Sequence, residues 1–507
     1  MTHRHGIYPE DQVPPRSKYF DSGRFGRMFG ELPPFAADTP QVRAALLEIG
    51  RPAGIMDAQD DLSDPQALIT NPALSGNNPN NPQMTAGMTF LGQFVDHDMT
   101  FDPTSSLERQ VDPEQIANFR TPTLALDNVY GAGPMASPHL YDQSAVGRGI
   151  KFLVEEIPGS GSPLHFDVPR NSQETALIGD PRNDENLIVS QLHLSFLRFH
   201  NAVIDYVETE LGMSGSPLDE IFAEAQRIVR WHYQWILIHE FLRLTCGESV
   251  VEDVLKNGRK FYNWRREPFV PVEFSVASYR FGHSQVRPSY RTNFTGATGG
   301  GQLFQFIFKG GANHNTPEED DISGSARRPW RFIDWRTFFN FGDGNSRPNK
   351  KIDTILSSPL FSLPTTVVPH PVPGSNPPAL AQRNLLRHLT FSLPSGQRVA
   401  RAMAARVSEI TLLSDGDFDD LQPHGLQNRA PLWFYVLREA NVTENGERLG
   451  PVGARIVAEV FIGLMQGDDK SFQTLEPDWK PFLPTVDMSA QGHDFLMIDL
   501  LRFAGVA

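Results

Sequence analysis

Apolar residues recur at three- and four-residue spacing through much of the chain after Pro82, and that period predicts helices. Met88, Leu91, Val95 and Met99 mark the first run. Ile188, Leu192, Phe196, Phe199, Val203 and Val207 mark a second, and a third extends from Ile221 to about Leu244. Shorter helices are predicted within FSVASYRFGHSQV (274–286), GQRVARAMAARV (396–407) and PVGARIVAEVFIGLMQG (451–467). Strand-like alternation is local, as in QLFQFIF at 302–308. Residues 1–80 are rich in Pro, Gly, Asp and Asn, and NPALSGNNPNNP (71–82) is a run of turn formers. The pattern predicts a mainly α fold with long ordered loops and little β, in which residues 1–80 form a loop-rich wrap around a helical core at 81–507.

Composition narrows the function classes. The 507 residues include 45 Lys and Arg against 60 Asp and Glu, a net charge of −15, which argues against nucleic acid as a partner. Val452–Leu464, among the longest apolar stretches, carries charges and is too short to span a bilayer. The start MTHRHGIYPEDQVPP has no apolar core of a signal peptide, so a cytoplasmic or leaderless-secreted location is expected. A single cysteine, Cys246, excludes an internal disulfide and any cysteine-based metal cluster. No linker or charge block divides the chain, so one domain over 1–507 is expected, with no prediction of oligomeric state.

Four short constellations could carry chemistry. In GQFVDHD (92–98), Gln93 and His97 stand four apart and share a helical face, and Asp96 and Asp98 flank the histidine within an apolar helix. Such carboxylates either lie solvated at a helix end or meet a cation or covalent partner. In DPRNDEN (180–186), acidic residues suit a helix start, but Arg182 does not. In YRFGH (279–283), His283 follows a glycine that would let a flat cofactor approach; a core histidine is the plain alternative. In NLLR (384–387), Asn384 and Arg387 are three apart and share a face.

Taken together, in order and spacing, these motifs resemble the animal-type haem peroxidases of the peroxidase–cyclooxygenase superfamily. TPTLALDNVYG (121–131), LHLSFLRFHN (192–201) and the late GPVGARIVAEVFIGL add to the likeness, which runs from about Met88 to about Gln466 and looks closer to bacterial members than to the mammalian enzymes. The resemblance implies haem b and a cycle in which hydrogen peroxide is reduced through an oxoferryl intermediate and a small donor is oxidised. It implies His97 as distal acid–base, Arg182 as distal cation and Gln93 in the distal cavity. It implies His283 as the iron ligand, Asn384 as the partner of its other nitrogen, and Arg280 and Arg387 beside the haem propionates. Asp96 and Glu185 match the positions that form ester links to haem. Asn186 stands where myeloperoxidase has the methionine of a third link, so donors easier than chloride are expected: bromide, iodide, thiocyanate, phenols or amines. Asp98 matches a calcium ligand, with Thr121, Thr123 (through its carbonyl) and Asp127 completing the set; Ala125 replaces a usual aspartate.

A fatty-acid oxygenase of the same superfamily would need a tyrosine three residues before His283, where Arg280 stands; Tyr279 lies one residue further back, roughly 100° away on a helix. A structural relative without activity is the third alternative. The 35 Phe read as core filling, His193 and His200 as core or interhelix hydrogen-bonding residues, Gly299–Gly301 as a loop without a phosphate-binding lysine, and Cys246 as an inert buried thiol.

Overall fold

The computed structural model describes residues 23–101, 117–118, 120, 122–161, 163–264, 267–295, 302–308, 321–322, 328–365, 367–368, 370–485 and 494–507. Among the described residues helix makes up 47 % and strand 10 %, so the fold is mainly α as its periodicity predicts. The sheets among the described residues hold two or three short strands each.

The first predicted helix is α1, Ala86–Met99, and Met88, Leu91, Val95 and Met99 are all buried on it. The second is α2, Leu187–Thr209, with all six of its marker residues buried. Asn186 caps α2: its side-chain oxygen accepts from the Val189 amide at 3.0 Å. α1 lies against α2, with the Phe94 and Phe196 rings stacked at 4.5 Å and 4°. The third helix is α3, Leu218–Ile236, continued by a π turn at Leu237–Phe241 and a last α turn at Leu242–Cys246.

Three later helices close the core: α4, Leu380–Thr390; α5, Leu432–Glu444; and α6, Pro451–Gln466. α6 is buried on every side from Val452 to Met465, which accounts for its lack of a polar face. A Cβ at Gly453 would come within 2.8 Å of Val436, so the glycine permits the close crossing of α5 and α6. No described helix is long and apolar enough to cross a membrane.

Two expectations need correction. The wrap is less loop-like than its composition suggests: its described part holds helices at Pro40–Ile49 and Pro65–Thr70. Both begin with proline after a capping residue, Thr39 or Asp64, a start signal that is easily taken for a turn. The first of them reaches α4, where the Gln382 amide donates to the Leu47 carbonyl at 2.7 Å.

The second correction concerns 274–286. An ordinary α-helix is predicted, but a π turn at Glu273–Ala277 is followed by a 3-10 helix at Ser278–His283. Distant groups fix this shape. The Glu273 carboxylate accepts from the Met28 and Phe29 amides at 2.9 and 3.0 Å, and Trp433 Nε1 donates to the Arg280 carbonyl at 3.1 Å. Tertiary bonds of this kind outweigh local propensity. In a 3-10 helix residues three apart eclipse one another, so Arg280 and His283 point the same way.

Candidate active site

A cavity of about 510 Å³ lies among α1, the turn preceding α2, the 3-10 helix at Ser278–His283 and α4. From α1 and the turn it receives Gln93, Asp96, His97, Arg182 and Glu185. From the 3-10 helix and α4 it receives Arg280, His283, Asn384 and Arg387. Much of the remaining lining is apolar, including Phe90, Phe241, Phe308 and Leu363.

His97 is buried, and its Nδ1 lies 2.7 Å from the side-chain oxygen of Asn183. That oxygen only accepts, so Nδ1 carries the proton and Nε2 keeps its lone pair. Burial, then the charge of Arg182, pushes the imidazole down to about 4. The ring is therefore neutral near pH 7.

Arg182 is held by its surroundings rather than by a single ion pair. Its Nη2 donates to the carbonyls of His97 at 3.1 Å and Thr100 at 2.5 Å, and to Asp180 at 2.8 Å. Arg120 pairs with the same Asp180 carboxylate and also donates to the His97 carbonyl at 3.2 Å. Desolvation of Asp180 is outweighed by the two guanidiniums, which hold its carboxyl well below the usual range. Two cations thus clamp the end of α1 through one buried anion.

Glu185 accepts from the Gln93 amide, and Asn186 Nδ2 donates to the Gln93 oxygen at 3.4 Å. Burial pushes the Glu185 carboxyl up to about 7. Asp96, one turn before Thr100, accepts from the Thr100 hydroxyl at 3.3 Å.

Across 101 residues of sequence, the Asn384 side-chain amide lies 2.7 Å from His283 Nδ1. Burial and then Arg280 push the His283 imidazole down to about 3, so this ring too is neutral. Here the amide nitrogen faces the ring; a half-turn of the same side chain presents its oxygen and frees Nε2 as an electron-pair donor. Arg280 Nε is buried without a hydrogen-bond partner. Arg383 also lines the cavity, and its Nη1 donates to Asn376 at 2.5 Å and to the Pro377 carbonyl at 3.2 Å. A Cβ built on Gly282 would meet nothing within 4 Å, which leaves open space beside His283.

Asp98 does not line the cavity. It is fully buried; one oxygen accepts from the Leu126 amide at 3.1 Å and the Tyr233 hydroxyl at 3.3 Å, and the other has no partner. Burial, then Asp127, pushes its carboxyl up to about 7. Thr123 is half-buried in the loop leading to Asp127, and Thr121 lies outside the described residues. Among the described residues no three His, Cys, Asp or Glu side chains gather to hold a metal, so a cation beside Asp98 and Asp127 would need hydroxyl or carbonyl oxygens as well.

Sequence reasoning missed Asn183, Asp180, Arg120 and Arg383. The first two stand within DPRNDEN beside residues already singled out, but His97, which Asn183 meets, and Arg120, which Asp180 meets, are 86 and 60 residues away. His193 and His200 have the hydrogen-bonding roles expected of them: His193 Nδ1 meets Asn183, and His200 meets Tyr130 and the Ile150 carbonyl. Cys246 is buried, and burial pushes its thiol up, away from reactivity.

Residues 107–300 match the family model described as animal haem peroxidase. That segment holds Arg182, Glu185, Arg280 and His283; α1 precedes it and α4 follows it. Peroxidasin of Drosophila melanogaster is 24 % identical over 334 residues, 61 % of this chain and 19 % of that protein. Probable oxidoreductase PXDNL of Homo sapiens is 29 % identical over 205 residues, 38 % of this chain and 14 % of that protein. Thyroid peroxidase of Homo sapiens is 26 % identical over 194 residues, 35 % of this chain and 20 % of that protein. The matched part thus spans a fifth or less of these relatives. In fold, the chain is similar to peroxidase A from Dictyostelium discoideum, with TM-score 0.57 and 16 % identity over 90 % of this chain and 89 % of that one. It is also similar to the fatty acid alpha-dioxygenase of Oryza sativa, with TM-score 0.52 and 15 % identity over 83 % and 74 %.

Proposed function

This chain resembles the animal haem peroxidases of the peroxidase–cyclooxygenase superfamily, in sequence over its central segment and in fold over most of its length, and from that premise we propose that it is a haem peroxidase that reduces hydrogen peroxide and oxidises a small donor. The observation that carries this reading is one cavity walled by both His97 with Arg182 and His283 with Asn384.

The residues fit haem. The cavity is large and mostly apolar, the space beside Gly282 is open, and the unpartnered Arg280 Nε and the nearby Arg387 suit propionate carboxylates. His283 would hold the iron through Nε2, with Asn384 fixing the ring. Asp96 and Glu185 line the same space and would form ester links to the ring edge, and burial disfavours the charged form of the Glu185 carboxyl. Haem, when bound, supplies the redox chemistry that activates peroxide and passes oxidising equivalents to the donor.

The protein's part is proton handling and charge. His97 accepts a proton from hydrogen peroxide at its free Nε2 and returns it to the departing oxygen, a task typically worth ~10²–10⁴-fold. Arg182, fixed by three acceptors, offers a permanent positive charge where negative charge develops. Gln93, tied to Glu185 and Asn186, shapes the same pocket. Asn186 offers no thioether, which supports bromide, iodide, thiocyanate, phenols or amines as donors rather than chloride. A calcium ion beside Asp98 and Asp127 would satisfy the orphaned Asp98 oxygen.

The likeness to a fatty acid alpha-dioxygenase gives a second reading, lipid oxygenation. Tyr279 lines the cavity, but its hydroxyl donates to the Gly92 carbonyl at 3.0 Å, and Arg280 holds the position the oxygenases use.

The deciding experiment is an absorption spectrum of the purified chain loaded with haem, before and after one equivalent of hydrogen peroxide. A Soret band that shifts within the mixing time and returns on adding iodide or a phenol is expected. A band indifferent to peroxide, with oxygen uptake on adding a fatty acid, supports the second reading; no Soret band in folded protein removes both.

A further inference from the structure

The 3-10 turn Pro181–Asp184 sends adjacent side chains to different partners: Arg182 to the end of α1 and Asn183 into the protein interior. Asn183 is fully buried and sits between two imidazoles. Its oxygen is 2.7 Å from His97 Nδ1, and its amide nitrogen is 3.0 Å from His193 Nδ1. The two ends of an amide differ, one only accepting and the other only donating. In this orientation of the amide, His97 is protonated on Nδ1, whereas His193 leaves Nδ1 bare and carries its proton on Nε2. His193 is fully buried on α2, and its Nε2 has no partner among the described residues. His97 lines the cavity and His193 does not.

We propose that Asn183 is a positioning residue that fixes the tautomer of His97, with its amide oriented by His193, so that Nε2 meets hydrogen peroxide with an open lone pair. The purpose assigned to this bridge rests on the peroxidase reading; the tautomer itself does not. When His97 takes a proton on Nε2, its Nδ1–H bond to the Asn183 oxygen becomes charge-assisted without movement of any heavy atom. The partner stays neutral, so the proton is not trapped and passes on to the departing oxygen. In serine proteases, an error in the tautomer of the catalytic histidine costs about 10⁴-fold in kcat, which shows how much such a lock can matter.

The test has two arms. In the full chain labelled with 15N-histidine, long-range proton–nitrogen spectra report each tautomer, with His97→Gln and His193→Gln assigning the signals. Expected are Nδ1–H for His97 and Nε2–H for His193. Asn183→Leu should leave His97 as a mixture. Asn183→Asp, which only accepts, should keep His97 on Nδ1–H and move His193 to Nδ1–H as well. In the haem-loaded chain, association of cyanide, whose acid must also lose a proton on binding, should slow severalfold in Asn183→Leu, by the share of His97 left on the wrong tautomer, and recover most of its rate in Asn183→Asp.

A wild-type His97 carrying its proton on Nε2 overturns the proposal. So does an Asn183→Leu variant with wild-type cyanide and peroxide association. If the leucine variant does not fold, the wild-type and aspartate spectra decide the matter. A haem-loaded wild type inert to peroxide overturns the peroxidase reading instead, while the spectra still decide the tautomer.

Discussion

Asn384 and His283 meet at 2.7 Å although one lies on α4 and the other on a 3-10 helix 101 residues earlier. With its oxygen turned to Nδ1, the amide would leave Nε2 as the free ring nitrogen and so control any metal bound by His283. Partners of this kind typically change metal affinity about 10–100-fold. Asn384→Leu should therefore release haem to a scavenging apoprotein about that much more readily, whereas Asn384→Asp, which can only accept from Nδ1, should retain it. His283→Ala should lose the Soret band altogether. Equal haem retention in the leucine variant would remove Asn384 from the site.

Asp96 and Glu185 line the same cavity from two elements, and Glu185 is pushed up to about 7 by burial. If both form esters, acidified organic solvent should extract no haem from the wild-type protein after peroxide treatment. Glu185→Gln should still hold haem by one link, and Asp96→Val with Glu185→Gln should release it all. Mass spectrometry of the denatured chain separates these states. Full extraction from the wild type would end the ester reading and leave the peroxidase reading intact.

Local patterns reveal local structure. Met88 to Met99 give α1 by period alone, and the same period puts Gln93 and His97 on one face; Asn384 and Arg387 follow the same rule on α4. α5 escaped notice because Leu432 to Leu437 are all fully buried, so the run LWFYVL has no polar face to set a period. The π and 3-10 turns before His283 depend on Met28, Phe29 and Trp433, none of them near in sequence. Asn183 was equally hidden, since its link to His97 crosses 86 residues. The cavity residues His97, His283 and Asn384 could be named from the chain, whereas Asn183, Asp180 and Arg120 required the fold.

Asp180 is fully buried, and the Arg120 side chain beside it is 2 % exposed. Removing one partner from such a group strands the other charges in the interior, at a cost of about 3–5 kcal/mol. Asp180→Ala should lose that much stability in urea unfolding and should leave the guanidinium of Arg182 held only by the His97 and Thr100 carbonyls. Asp180→Asn keeps two of the hydrogen bonds and should cost less. A loss below about 1 kcal/mol in the alanine variant would mean that the clamp contributes little beyond its desolvation.

A calcium ion held as proposed, beside the orphaned oxygen of Asp98 and its neighbour Asp127, would have a measurable effect on stability. Protein stripped with chelator should melt at a lower temperature, and calcium should restore it in proportion to the logarithm of its concentration above Kd. Asp98→Asn should remove the response to calcium while leaving the fold. Magnesium, which demands tighter octahedral geometry, should act more weakly. Identical melting with and without calcium in the wild type would remove the cation.

Glu439 on α5 provides a pH dependence away from the cavity. One oxygen accepts from the Val452 and Gly453 amides at 3.0 and 3.2 Å, and the other is buried without a partner. Burial pushes this carboxyl up from 4.5 to about 8, against the two amide bonds that favour its charged form. The folded chain thus holds the proton more tightly than the unfolded one. That contribution to stability is fully present below about pH 4.5 and fades as pH rises through 8. Glu439→Gln keeps the acceptor for both amides and cannot ionise. Its melting temperature should therefore fall less than that of the wild type between pH 5 and pH 9, a difference in slope that any cost of the new amide nitrogen would leave unchanged. Parallel profiles would show that the α6 start, with its aligned amides, keeps Glu439 ionised throughout.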